Sequence, residues 1–457
     1  MRKVPQIAAS TTIRSGHLGV LGRFAKGAAV ILLTSLAVMA PTTATAKDSA
    51  ANRSGDPAVI SEWNEIAQNT LFADTTTSPV EDILYMGFVQ AAVYNAVVGI
   101  EGRYEPYHLK ARAPRGASSQ AAAAAAAHKI LVTYSPDAQH AELDAKYTAS
   151  LAKIPDGKAK TRGVTFGELA ADTLIAQRVR DGRNDTSVQF TQPAAPGVWR
   201  PTPPAFAPFT APWLGFVTPL LVRSGAQFGK IGPPPGLTSA RYTRDFKEVK
   251  ALGSSNSTER TAEQTDTALF YSGSAFVQFN TALRDQVEVR KLDIVDAARM
   301  FAAVDMSFAD AEISVWYSKY VYGFWRPITA IRLADTDGNP ATTADPTWTP
   351  LVETPPIPDY DSGHSVEGGA AAQVLRRFFH TNRMSFSVCS FTLPEGERCS
   401  DESPTLRHFT RFSQAARENA LSRIYVGFHF RDAVRTGTRH GERIGNWTVR
   451  RVMRPVD

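Results

Sequence analysis

Three short segments of the sequence carry residue types suited to holding a tetrahedral oxyanion. The first is Lys319-Tyr-Val-Tyr-Gly-Phe-Trp-Arg326-Pro327. Lys319 and Arg326 stand seven residues apart, a spacing that places them two turns along one face of a helix, with Trp316 and Gly323 on the same stripe. Two cations so placed repel each other unless they face solvent or share an anion. Pro327 lacks a backbone donor and bends or ends the helix. The second segment is Asp359-Tyr-Asp-Ser362-Gly363-His364-Ser, followed by an apolar helix. Gly363 lets the backbone come close to a ligand. The helix start offers free N–H groups and the positive end of a dipole. Ser362 adds a hydroxyl, and His364 titrates near neutral pH. The third is Ser422-Arg423-Ile-Tyr-Val-Gly427-Phe-His429-Phe-Arg-Asp432. On a helix, Arg423 and His429 would lie about 120° apart, close enough to approach one ligand from two sides. Taken singly, each segment has an ordinary alternative: a solvated basic face, a capped helix with an exposed histidine, or a surface helix with a half-buried one.

Taken together they are far more specific. The order K-x6-R-P, then S-G-H, then S-R-x5-H resembles the three-part signature shared by vanadium-dependent haloperoxidases and PAP2-type acid phosphatases. Ala309-Asp310-Ala311, Trp316-x2-Lys319 and Phe324-Trp325-Arg326-Pro327 resemble the haloperoxidase form of the first motif. Gly197-Val-Trp199-Arg200-Pro201-Thr202-Pro203-Pro204 and Arg260-Thr-Ala-Glu-Gln264 resemble segments of bacterial members of that branch. The likeness runs from about residue 57 to the C-terminus and is densest over 305–437.

The resemblance implies vanadate as cofactor, with hydrogen peroxide, halide and a small organic acceptor as reaction partners. Carried over, Lys319, Arg326 and Arg423 would neutralise the vanadate oxygens. Ser362 and the Gly363 N–H would donate hydrogen bonds, His429 would bind the vanadium, and His364 would be the acid–base residue. Because vanadate is similar to the transition state of phosphoryl transfer, the same set could serve a secreted phosphatase, with His429 as nucleophile and His364 protonating the leaving group. A member that binds an oxyanion without turnover is the third reading. Ile357, five residues before Ser362, gives no chloride or bromide signal.

Two positions depart from the family pattern. Asp361 stands where Pro is usual before Ser-Gly-His. Its carboxylate either weakens oxyanion binding or points away and caps the helix. Four residues after His429, where an acid is common, stands Ala433, with Asp432 one position earlier. Asp432 is the candidate to orient His429 through a local shift; without it a nucleophilic histidine suffers most.

The elements that must position these residues read as helices throughout, giving an all-α fold of the helical-bundle type. Apolar residues recur at threes and fours near 57–71, 79–97, 117–134, 137–153, 160–182, 238–252, 258–272, 274–286, 292–325, 363–381, 405–424 and 430–451. The Ala121–Ala127 run favours a closely packed helix. Strand signals are weak everywhere. Residues 183–237, rich in proline and aromatics, read as a long ordered loop over one flank of the pocket. Residues 57–457 thus read as one helical domain, behind a disordered stretch at 47–56.

The start of the chain reads as an export signal. Arg2, Lys3, Arg14, Arg23 and Lys26 precede an apolar run from Ala28 to Ala40 and small residues ending Ala44-Thr45-Ala46. That run is shorter than a bilayer span, so residues 1–46 are expected to be removed from a secreted or periplasmic protein. No later segment reads as a membrane span. Those five cations account for most of the net charge of +6. The near-neutral remainder argues against a nucleic-acid partner. Oligomeric state is not legible. The two cysteines, Cys389 and Cys399, suit a loop-closing disulfide in an oxidising compartment.

Overall fold

The computed structural model describes residues 55–73, 78–390 and 406–456. The proposed leader therefore lies outside the described residues, as does Cys399. Cys389 is disulfide-bonded.

Five helices form the first half: α1 (Ala58–Ala73), α2 (Pro79–Glu101), α3 (Ser119–Tyr134), α4 (His140–Ala152) and α5 (Lys158–Gln177). The alanine run of α3 is wholly buried, and small residues explain why. Gly163 and Gly167 of α5 lie against it so closely that a Cβ at Gly167 would sit 2.2 Å from the Ala122 carbonyl oxygen. Helix α2 corrects one expectation: by length and composition it is apolar enough to cross a membrane, yet nearly all of it is buried inside the protein. A helix apolar on every side is what an inner core position requires.

The proline-rich segment follows, with a 3-10 turn at Pro212–Phe216 and a short α-helix, α6 (Ala226–Gly229). Its side chains Phe190, Trp199 and Phe209 pack edge-to-face or tilted against one another, with centroids 5.5 to 5.9 Å apart. Then come α7 (Ala240–Leu252), α8 (Ala262–Phe270), α9 (Ala275–Val289), the long α10 (Ile294–Tyr322) and the short α11 (Pro327–Arg332). Asp293 starts α10 by accepting from the N–H groups of Val295 and Asp296, each at 3.0 Å. Helix α10 is buried over most of its length and packed against α2 and against α12 (Gly363–Phe378).

Helix α12 also packs closely on α14 (Arg431–Arg451). The sequence provides for this with Gly437, Gly441 and Gly445 on one stripe of α14. A Cβ on Gly441 would meet the Val366 carbonyl oxygen at 1.9 Å. That spacing matters because α12 begins with the Ser-Gly-His segment.

Two expectations about elements fail here. The segment from 405 onward does not start as a helix: Leu406–Arg411 is a strand, β2, paired antiparallel with β1 (Arg383–Cys389), and only then does α13 (Phe412–Tyr425) begin. Met384, Phe386 and Val388 alternate inward along β1, and Phe386 pairs with Phe409 across the ladder. Such period-two burial across the pair outweighs the weak local signal. Similarly, the helix read over 292–325 stops at Tyr322.

Candidate active site

That early stop changes the geometry of the first motif. Gly323 takes a left-handed conformation (φ 49°) and reverses the chain. A side chain there would strike the Phe190 ring at 2.7 Å. Lys319 lies in the last turn of α10, whereas Arg326 lies beyond the reversal, in extended backbone just before α11. They do not share a helical face. The proline-rich segment fixes the reversal: Trp199 N–H donates to the Gly323 carbonyl at 2.7 Å and Trp325 N–H to the Gly197 carbonyl at 3.0 Å.

The third motif is corrected in the same way. Helix α13 ends at Tyr425, and Gly427 (φ 87°) turns the chain before α14. The N–H groups of Phe428 and His429 both donate to the Arg423 carbonyl. His429 therefore comes back over Arg423 through a turn rather than around a helix.

These turns bring Arg326, Gly363, His364, Arg423 and His429 to one cavity of about 300 Å³. Lys319 and Ser362 stand behind its wall. The Lys319 ammonium donates to the carbonyls of Pro358 (2.8 Å), Asp359 (3.1 Å) and Asp361 (2.6 Å), so it ties down the loop that leads into α12. The Ser362 hydroxyl accepts from Ser365 at 3.0 Å. The mouth of the cavity is apolar, with Pro79, Val80, Ile83, Pro355, Pro356 and Ile357. Thr210 of the proline-rich segment lies at this mouth, held by Pro356 and by the Trp316 indole.

Both guanidiniums are buried and under-satisfied. Arg326 donates to the carbonyls of Ile357 (2.6 Å) and Phe428 (3.0 Å), but its Nη2 has no partner among the described residues. Arg423 has no partner for Nε or Nη2 among the described residues. Burial pulls the two down to about 10 and about 9, with Asp359 and Glu367 opposing, so both stay charged at neutral pH. A buried cation with open N–H groups is costly, and an anion with several acceptor oxygens relieves it. Burial, then repulsion from Arg326, takes Lys319 down to about 7, with Asp359 and Asp361 opposing.

Both histidines have a hydrogen-bond partner on one ring nitrogen. His429 Nδ1 is 2.9 Å from Asp359 Oδ1, and with Asp359 as the carboxylate the proton sits on Nδ1. Its Nε2 lone pair then faces Arg326 Nη1 at 3.1 Å. His364 Nε2 is 2.6 Å from the Gly273 carbonyl, which only accepts, so Nε2 carries the proton and Nδ1 is the open nitrogen. Burial and the surrounding cations hold both imidazoles well below the ordinary histidine value.

The structure decides both sequence departures. The Asp361 carboxylate does point away from the cavity, but it does not cap α12. It accepts from Ser318 at 2.6 Å and meets His440 Nδ1 at 3.0 Å. Asp432 does not reach His429; it pairs with Arg435 and lies 3.5 Å from Arg241. The acid that orients His429 is Asp359, which sits in the second motif, three residues before Ser362. Burial pushes its carboxyl up to about 8, against Arg326 and Lys319. Its proximity in sequence to Ser-Gly-His was a usable signal. The Gly273 carbonyl left no signal in the sequence.

A family model described as the VCPO second helical-bundle domain matches residues 299–457. The chain is 27% identical over 375 residues to a vanadium chloroperoxidase of Curvularia inaequalis, covering 65% of this chain and 60% of that protein. It thus spans less than two thirds of that relative's length. A bacterial vanadium-dependent iodoperoxidase is similar with a TM-score of 0.72 and 26% identity, over 88% of this chain and 97% of that one. A holo-type bacterial vanadium-dependent chloroperoxidase shares the fold with a TM-score of 0.63 and 18% identity, over 83% of this chain and 94% of that one.

Proposed function

The chain belongs to the vanadium haloperoxidase family, and from that premise we propose that it is a vanadate-dependent haloperoxidase that oxidises halide with hydrogen peroxide. The observation that carries the reading is the set of buried, unpartnered guanidinium donors of Arg326 and Arg423 around one cavity that His429 Nε2 also faces. Among the described residues no cluster of three or more His, Cys, Asp or Glu could hold a bare metal ion. A cationic donor set with two neutral imidazoles beside it fits a metal that arrives as an oxyanion.

Each residue then has a physical task. His429 Nε2 would be the vanadium ligand, kept unprotonated and correctly aimed by Asp359 at Nδ1. Arg326 and Arg423 would neutralise the oxygens, and the Gly363 N–H, at the start of α12, would add a donor. Lys319 holds the 358–361 backbone and contributes charge from behind. His364, with Nε2–H held by the Gly273 carbonyl, would take the peroxide proton at Nδ1. When bound, vanadate would supply the Lewis-acid centre that activates peroxide for two-electron oxidation of halide. The apolar mouth suits a small organic acceptor and limits water entry. We infer export from the leader; the check is N-terminal sequencing of the purified protein, which should begin at Lys47.

Asp359 on His429 also meets the need of a phosphatase for an oriented nucleophile, so that activity is the second arm of the test. The purified protein is assayed with orthovanadate, peroxide, bromide and a halogen-accepting dye, and separately with a chromogenic phosphate ester and no vanadate. Vanadate-dependent dye halogenation, abolished by His429→Ala, is expected. Phosphate release alone, abolished by the same substitution, would replace this reading with the phosphatase.

A further inference from the structure

Two carboxyl groups on the cavity wall remain unexplained. Glu312 of α10 and Glu367 of α12 both line the cavity, and both are buried. Glu367 lies one turn after Gly363 and His364. Its Oε1 is 3.9 Å from His364 Nδ1 and would lie 4.0 Å from a Cβ on Gly363. As carboxylates the two have no donor to offer each other, and both Glu312 oxygens and Glu367 Oε2 are then without partners. One proton shared between them would supply the missing hydrogen bond. The charged groups around the pair are Lys319, two turns on along α10; Asp361, in the loop before α12; and Arg423, on α13; the neutral His364 also faces it. Two bare carboxylates in such burial repel strongly, so one proton is retained.

Oxidation of halide by peroxide consumes a proton in each turnover: H2O2 + X− + H+ gives HOX + H2O. His364 is a poor reservoir for it, because burial and the nearby cations favour its neutral form. Resting on the haloperoxidase reading, we infer that Glu312 and Glu367 hold one shared proton and relay it through His364 Nδ1 to the reacting oxygen. The proton leaves the pair for Nδ1 and passes from Nδ1 to the oxygen. The resulting dicarboxylate sits beside Lys319 and Arg423 until solvent returns a proton. The 3.9 Å gap exceeds a hydrogen bond, so the transfer needs either about 1 Å of movement by the flexible Glu367 side chain or one water in the cavity. Burial raises both carboxyls above the usual range, Glu312 the more, which agrees with a retained proton.

The test uses the full protein with Glu367→Gln and Glu312→Gln, which keep volume and remove the store. Infrared difference spectroscopy without vanadate, wild type minus either variant, should show a protonated-carboxyl band at neutral pH that shifts in heavy water, over the constant contribution of Asp359. In the vanadate-loaded enzyme, Glu367→Gln should lower kcat by about 10²-fold, the scale of a lost general acid. KM for halide should stay nearly constant, and the alkaline fall of kcat should move to lower pH. Glu367→Asp should recover part of kcat. Absence of the difference band, or an unchanged pH profile in Glu367→Gln, would overturn the relay. If the wild type shows the band but no halogenation, the haloperoxidase reading fails and the relay falls with it, while the shared proton is established independently.

Discussion

Asp361 and Arg423 are both buried charges in one helical body, but one is saturated with partners and the other is not. Asp361 receives Ser318 on one oxygen and His440 on the other, while its carbonyl takes Lys319. His440 in turn reaches Ser314 at 2.8 Å. Arg423 leaves two nitrogens open, and Arg326 leaves one. Folding tolerates a buried charge when its partners are built in, as around Asp361, and that arrangement rigidifies a scaffold. Where the partners are missing the fold retains an unfavourable group, and a ligand is the simplest compensation. The 358–362 loop divides the two regions, with Lys319 holding its backbone.

This contrast can be broken from either side. The largest effect should come from Asp361→Ala, which strips His440 and Ser318 of their acceptor; breaking a buried pair in this way costs about 3–5 kcal/mol. Urea unfolding measures it, and a loss below 1 kcal/mol would mean that the saturated cluster is not a scaffold. Next, Asp359→Asn should weaken orthovanadate binding by about 10- to 100-fold through loss of His429 orientation, with little change in unfolding. Calorimetric titration reads the first and thermal unfolding the second.

A smaller effect concerns pH. The free site holds Lys319 near 7, and a bound oxyanion favours its charged form, so binding takes up a proton above that pH. Affinity for tungstate, whose own charge is constant across the neutral range, should be flat below about pH 7 and fall as pH rises above it. A flat profile throughout would remove Lys319 from the electrostatics of the site. The smallest effect belongs to Asp432→Ala. Its partners Arg435 and Arg241 are about half exposed, so the stability change should stay within about 1 kcal/mol. Halogenation should be unchanged, since Asp359 and not Asp432 serves His429.

Most of the helices and five of the cavity-lining residues were legible in the sequence, because periodicity and short motifs are local. What was not legible depends on chain reversals and on contacts distant in sequence. Gly323 ends a helix that the periodicity carried to 325, and Gly427 turns the chain between two helices that were read with no turn geometry; those reversals decide how Arg326 and His429 face the cavity. The β1–β2 pair was missed because its inward alternation has meaning only across the ladder. Asp359 was quoted within its motif but given no role, since the pattern suggested an acid after His429 rather than 70 residues before it. Glu312 and Glu367 lie 55 positions apart, and only the packing of α10 on α12 brings them together.

The most direct test of the account is a paired reading on Arg423→Leu. If the open guanidinium exists to meet an oxyanion, orthovanadate affinity falls by about 10²-fold or more, as loss of two charge-assisted hydrogen bonds requires. The unliganded protein should meanwhile unfold at the same temperature or higher, because an unpaired buried charge has been removed. Undiminished vanadate binding together with a destabilised fold would contradict it, and would make Arg423 part of the scaffold instead.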